Sequence, residues 1–159
     1  MNKFIKKEDL QALSIELKKQ NKTIVLANGA FDMLHVGHIR YLSGAKNSGD
    51  ILIVAINSDI SVKLSKGNSR PIIKENERVE IISALEVVDF VTIFDEKDVS
   101  SVIKLLKPDF HAKGTDYSED SVPEKDIVEE IGGKVIITGD PKDHSTTDII
   151  SKLKEIICE

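Results

Sequence analysis

The 159-residue chain has a single cysteine, Cys158. It can close no internal disulfide and builds no thiolate cluster, so the fold must rest on a packed core and the thiol reads as incidental. No stretch approaches the run of about twenty apolar residues that a bilayer span requires. The opening Met1-Asn2-Lys3-Phe4-Ile5-Lys6-Lys7 also lacks the apolar centre of a signal peptide. A cytoplasmic protein with no membrane partner is expected. Basic charge is in deficit: 22 Lys and Arg stand against 27 Asp and Glu, a net charge of −5. Phosphate backbones need a basic footprint, so no nucleic-acid partner is expected, although a local basic site stays open. Internal repeats, low-complexity tracts and a composition break are missing too, and with 40% hydrophobic residues the chain reads as one domain over residues 1–159.

What is present is an alternation of short β-branched runs and longer segments of helical period. Strands are expected at 23–28, 51–56, 89–94, 109–113 and 134–138. Each reads as a continuous apolar run, as strands covered on both faces do. Helices are expected at 7–20, 36–47, 75–85, 99–106, 124–131 and 146–157, the last announced by the cap sequence Ser145-Thr146-Thr147-Asp148. Alternation of this kind predicts an α/β fold, a Rossmann-like open parallel sheet with helices on both faces. The N-terminal helix precedes a core spanning about 23–153.

Chemistry concentrates in Asn28-Gly29-Ala30-Phe31-Asp32-Met33-Leu34-His35-Val36-Gly37-His38, which leaves the first strand and enters a helix. Ligands of open α/β sheets bind beyond the carboxyl ends of strands, where a helix N-terminus offers free N–H groups to a phosphate. Gly29 and Gly37 permit close backbone approach. His35 and His38, three residues apart, can address one bound group. A zinc pair is disfavoured because His111, His144 and Cys158 do not cluster with them in sequence. Lys66, Arg70 and Arg78, with Lys63 nearby, bring positive charge to a loop and the following helix, as a triphosphate would require. Lys113-Gly114-Thr115-Asp116 follows a strand, so its glycine can admit a nucleotide while Asp116 accepts from a base or ribose. Ser145, Thr146 and Thr147 open a helix and can donate to phosphate oxygens. Asp32 has three readings: indirect magnesium holder, orienter of a loop amide, or helix cap. Arg40 and Lys46 read as a solvated helix face and are left out of the site.

His35-Val36-Gly37-His38 resembles the motif of the HxGH nucleotidylyltransferases. Further segments fall in order: Val54-Ala55-Ile56-Asn57-Ser58-Asp59, Lys66-Gly67-Asn68-Ser69-Arg70-Pro71-Ile72, Glu77-Arg78, Lys113-Gly114-Thr115-Asp116-Tyr117 and His144-Ser145-Thr146-Thr147-Asp148. Together they are similar to the adenylyltransferase part of bacterial ADP-heptose synthases, from about Phe4 to Leu153. That resemblance implies transfer of AMP from ATP to D-glycero-β-D-manno-heptose 1-phosphate with release of pyrophosphate. Magnesium would ride on the nucleotide phosphates with no dedicated metal residue, and the protein would pair as a homodimer. It assigns phosphate contacts to His35, His38, Lys66 and Arg78, further phosphate or substrate contacts to Lys63 and Arg70, and the nucleotide to Gly29, Ala30, Phe31, Asp32, Gly37, Lys113, Gly114, Asp116, Ser145, Thr146 and Thr147. Thr115 stands where such enzymes often have glycine. A glycerol-3-phosphate cytidylyltransferase is the enzymatic alternative, disfavoured because Gly139-Asp140-Pro141-Lys142-Asp143 contains no arginine. A nucleotide-sensing module without turnover is the alternative of another class.

Overall fold

The computed structural model describes residues 3–141 and 146–157. Five strands, β1 (Ile24–Gly29), β2 (Ile51–Asn57), β3 (Phe90–Phe94), β4 (Phe110–Lys113) and β5 (Lys134–Ile137), form one sheet in the order β3-β2-β1-β4-β5. Every pairing is parallel. The described residues also form seven α-helices: α1 (Leu10–Lys19), α2 (Val36–Lys46), α3 (Asp59–Lys66), α4 (Glu75–Ser83), α5 (Ser100–Leu106), α6 (Lys125–Glu130) and α7 (Thr146–Ile157). This is the expected Rossmann-like sheet. None of the described helices is long and apolar enough to cross a membrane.

The strand pattern explains why both faces are covered. Successive side chains point to opposite faces. Val25 and Ala27 of β1 join Leu52, Val54, Val91 and Ala112 in a core closed by Tyr41, Leu42 and Ala45 of α2 and Ile82 of α4. Their neighbours Ile24 and Leu26 join Ile53 and Ala55 in a second core, closed by Leu10 and Leu17 of α1, Val102, Ile103 and Leu106 of α5, and Val128 of α6. One element escaped the sequence reading. The segment around Lys63 and Lys66, read as a loop, is helix α3, capped by Ser58, whose Oγ accepts from the Ser61 amide at 3.1 Å. Its serines and β-branched residues mask the helical period.

Carboxylates pin the register at the amino ends of the strands. Asp50, before β2, accepts from the Thr23 amide at 2.8 Å. Asp89, before β3, accepts from the Leu52 amide at 2.7 Å and from Lys46 Nζ at 2.6 Å. Asp109, before β4, accepts from the Ile24 amide at 2.8 Å. Each acid thus satisfies the first free amide of the neighbouring strand and fixes which residues lie side by side. The carboxyl ends of the strands are left open for the ligand. Asp109→Ala orphans the Ile24 amide and is expected to cost about 1–3 kcal/mol of stability, measured by urea denaturation. The affinity for a non-hydrolysable ATP analogue, at the opposite end of the sheet, should stay within twofold.

Candidate active site

Strand order reverses direction at β1, which pairs with β2 on one side and β4 on the other. The crevice beyond that switch point is where an open α/β sheet receives a ligand. From Gly29 the chain crosses this crevice in residues 30–35 before α2 begins. Phe31 takes a left-handed conformation, φ 48°, with its ring 4% exposed. A non-glycine residue holds that conformation only when its surroundings enforce it. Here the ring packs edge to face beneath His38, centroids 5.2 Å apart. Asp32 is 2% exposed. Its Oδ1 accepts from the Ile72 and Ile73 amides at 2.7 and 2.9 Å, and its Oδ2 from Arg70 Nε at 2.6 Å. Arg78 is fully buried, its guanidinium donating to the carbonyls of Ile73, Ala30 and Asn57 and to Asp59 Oδ1.

His35 stands at the cap position of α2, and His38 one turn on, the two ring centroids 3.9 Å apart. The His35 amide donates to His38 Nδ1 at 3.4 Å, which makes Nδ1 an acceptor and leaves the hydrogen of the neutral ring on Nε2. Burial, reinforced by His35 and by the Lys66 charge, lowers the His38 pKa to about 4. At neutral pH His38 is therefore an uncharged donor. Lys66 ends α3 at the cavity rim, and burial together with the Arg70 charge lowers its pKa.

A cavity of about 410 Å³ opens over these groups. Its β4 wall holds Lys113, whose Nζ lies 3.1 Å from Asn28 Oδ1 and 3.1 Å from Glu124 Oε2, and 5.4 Å from the Tyr117 ring centroid. Gly114 lies beside it, and a Cβ built there would meet nothing within 4 Å. The far wall is the segment after β5, where Gly139, φ 96°, passes so close to Tyr41 that a Cβ would lie 3.2 Å from its Cα. Thr146 Oγ1 donates to the Met33 carbonyl at 3.5 Å, and Thr147 completes the rim. The arrangement offers a neutral imidazole donor, a cation and a helix N-terminus to one anionic group, the equipment of phosphate chemistry.

Comparison with known proteins agrees with this geometry. Residues 26–152 match the cytidylyltransferase-like family. The chain belongs to that family. It is 47% identical over 150 residues to the bifunctional protein HldE of Geobacter metallireducens, covering 94% of this chain and 31% of that protein. It is 44% identical over 147 residues to HldE of Desulfatibacillum aliphaticivorans, covering 92% and 30%. The chain thus spans under a third of the length of these curated relatives. Among solved structures it resembles the lipopolysaccharide core biosynthesis protein of Thermoplasma volcanium, with TM-score 0.66 and 33% identity over 76% of this chain and 99% of that one.

Within this cytidylyltransferase-like domain, Gly29, Phe31, His35, Gly37, His38, Lys66, Lys113, Gly114, Asp116, Thr146 and Thr147 all line the cavity. Ser145 lies outside the described residues. Several expectations need correction. Arg78 does not line the cavity: four bonds to three loop carbonyls and one carboxylate make it a strut beneath the site, with no exposed surface for a triphosphate. Arg70 is tied by Nε to Asp32, and Lys63 is exposed on α3, both off the cavity wall. Ala30 contributes through its carbonyl to Arg78, not through the cavity. Asp32 takes the second of its three readings, orienting the loop amides of Ile72 and Ile73. Arg40, set aside as solvated, lines the cavity and lies 3.0 Å from Asp140 Oδ2. Asn28, Tyr41 and the 138–141 segment were also missed. Position at the end of β1 and after β5 was the available signal.

Three outcomes follow. Arg78→Met strands buried carbonyls and the Asp59 carboxylate and is expected to lose about 3–5 kcal/mol by chemical denaturation. Lys66→Ala should leave the melting temperature within 2 °C and weaken nucleotide binding several-fold, measured by calorimetry. The third outcome concerns acid. His111 is buried, and that burial, with the Lys113 charge, lowers its pKa to about 3. Both His111 and His38 titrate near 6.5 when unfolded, so between pH 6.5 and about 3 the unfolded chain binds more protons than the folded one. Stability is complete above pH 6.5 and falls as the pH drops. Melting temperatures from pH 8 to 4 should show that slope, and His111→Gln should make it shallower.

Proposed function

We propose that the chain is an adenylyltransferase: it moves AMP from ATP to a sugar 1-phosphate, D-glycero-β-D-manno-heptose 1-phosphate, and releases pyrophosphate. The observation that carries this reading is the neutral His38 donor at the mouth of α2, stacked with His35 beside Lys66. The high identity to HldE proteins across nearly the whole chain supports the choice of acceptor, as do the ordered segments 113–117 and 144–150.

In this reading an oxygen of the sugar phosphate attacks the α-phosphorus of ATP in line. A new P–O bond forms as the bond to the β-phosphate oxygen breaks, and pyrophosphate carries off the electron pair. Charge shifts among phosphate oxygens without a covalent enzyme intermediate, so positioning and fixed dipoles supply the acceleration. His38 Nε2–H and the amino end of α2 face the α-phosphate, while Lys66 and Arg40 offer charge to the leaving pyrophosphate. A neutral imidazole donates without taking the nucleophile's proton, and an acceptor phosphate brings its own anionic oxygen. Among the described residues no three His, Cys, Asp or Glu side chains gather into a metal-holding group. That donor set fits magnesium held by phosphates and water, and when bound the ion would neutralise triphosphate charge.

The test is pyrophosphate release across ATP, CTP and GTP crossed with heptose 1-phosphate, glycerol 3-phosphate and flavin mononucleotide. ATP with heptose 1-phosphate should lead, and a clear preference for CTP with glycerol 3-phosphate would overturn the assignment. In the same assay His38→Ala should lower kcat by roughly a hundredfold or more. Its ATP affinity should change far less, and its melting temperature should stay near that of the parent. Near-normal kcat in the folded variant would remove His38 from the chemistry.

A further inference from the structure

A second groove, of about 430 Å³, opens beside the first across the carboxyl ends of β1, β2, β3 and β4. It shares Asn28, Lys113 and Tyr117 with the nucleotide cavity, and it adds Glu124, whose carboxylate is already paired with Lys113, and Asn57, Lys97 and Asp98, which the chemistry above leaves unused.

The polar groups facing it can be assigned by elimination. Asn28 Oδ1 lies 3.1 Å from both Lys113 Nζ and His111 Nε2. An ammonium has hydrogens but no lone pair, so the Asn28 atom beside it must be the oxygen. His111 Nε2 then carries the hydrogen, and what Asn28 has left to offer a ligand is its amide NH₂. Asn57 is the reverse case. Ser61 Oγ spends its only hydrogen on the Glu96 carbonyl at 2.6 Å, so toward Asn57 it must accept. Asn57 Nδ2 donates to it at 2.9 Å, leaving Oδ1 for a ligand. Asp98 accepts from the Ser100 amide at 2.9 Å through Oδ1 and keeps acceptor capacity beyond that bond. Lys97 beside it is exposed and adds donors.

Donors and acceptors are therefore interleaved along the groove. A phosphate would meet the acceptors of Asn57 and Asp98 unfavourably, and a cation the donors of Asn28 and Lys97. Hydroxyl groups, which donate and accept, satisfy both sets. The row is also long. Asn28 is the next-to-last residue of β1, Asn57 ends β2 and Asp98 follows β3, so at about 4.8 Å per strand it runs roughly 10 Å outward from the wall shared with the nucleotide cavity. A three-carbon acceptor whose phosphate lies at that wall stops short of Asp98, whereas a six- or seven-carbon sugar crosses the row.

We propose that this groove holds the polyhydroxylated body of the acceptor, its phosphate beside Asn28 and Lys113 and its hydroxyls read by Asn57 and Asp98. The proposal rests on the adenylyltransferase reading and deepens it by naming where sugar specificity resides. The experiment compares the parent protein with Asn57→Ala and with Asp98→Asn, which keeps an oxygen for the Ser100 amide. Binding of D-glycero-β-D-manno-heptose 1-phosphate and of glycerol 3-phosphate is measured by calorimetry beside a non-hydrolysable ATP analogue, and turnover is measured separately. Each variant should weaken heptose 1-phosphate binding tenfold or more and raise its KM to match. Saturated kcat, ATP KM and any glycerol 3-phosphate binding should stay within twofold, and the melting temperature should stay near that of the parent. Unchanged heptose 1-phosphate affinity in both variants would overturn the proposal, as would no binding to the parent or equal losses for both acceptors. If the parent binds the sugar with the expected losses in the variants but releases no pyrophosphate with any nucleotide, the transferase reading fails while the groove stands.

Discussion

A guanidinium with no exposed surface holds the loops of the site at a common point. Arg78 donates to the carbonyl after β1, the carbonyl at the end of β2, the carboxylate that opens α3 and the carbonyl before α4. A buried cation costs several kcal/mol in desolvation unless its hydrogens are well placed, and here they tie the ends of β1 and β2 to the starts of α3 and α4. Asp59 and Glu75 extend the junction by capping each other's helices, Asp59 N to Glu75 Oε2 at 2.6 Å and Glu75 N to Asp59 Oδ1 at 2.9 Å. Asp32 and Arg70 form a second tie to the same loop. Lys66 is placed over His38 because α3 begins at this junction and ends at the cavity.

Burial does two kinds of work above that junction. It holds the strained backbone at Phe31, whose ring is covered by His38 and the core. It also sets the charge state of the site, keeping both His38 and His111 neutral across the physiological range. A neutral His38 suits a reaction in which phosphate charge is redistributed without proton uptake by the enzyme. A neutral His111, with its hydrogen on Nε2, holds the oxygen of Asn28, a residue that lines both cavities. Lys113 is matched by Glu124 close by, which tempers its charge to that of a positioned donor.

Much of this was legible because it is written in local spacing. Strands covered on both faces are continuous apolar runs, and their boundaries here fall within a residue or so of the expected ones. His35 and His38 are one turn apart in any helix that starts after Gly29, so their proximity needed no tertiary information. The errors have a common cause. Arg78 reads as a phosphate ligand because a basic residue near such a motif usually is one, and nothing local reports that its side chain is buried beneath the loop. Arg40 reads as solvated because the segment that faces it, residues 138–141, comes about a hundred positions later. The α3 helix was hidden by residues of weak helical propensity, its cap at Ser58 being the one available signal. Asp32 was undecidable because its partners, the amides of Ile72 and Ile73, belong to a loop whose approach is a tertiary fact.

The ties at Asp32 and Arg78 also order events in time. They span 38 and 48 residues of chain, so during synthesis the segment with both histidines is made well before the partners that tie it. Contacts of that separation form late, after the intervening loop entropy has been overcome. A growing or refolding chain therefore carries its histidine pair on an untethered loop until α4 docks.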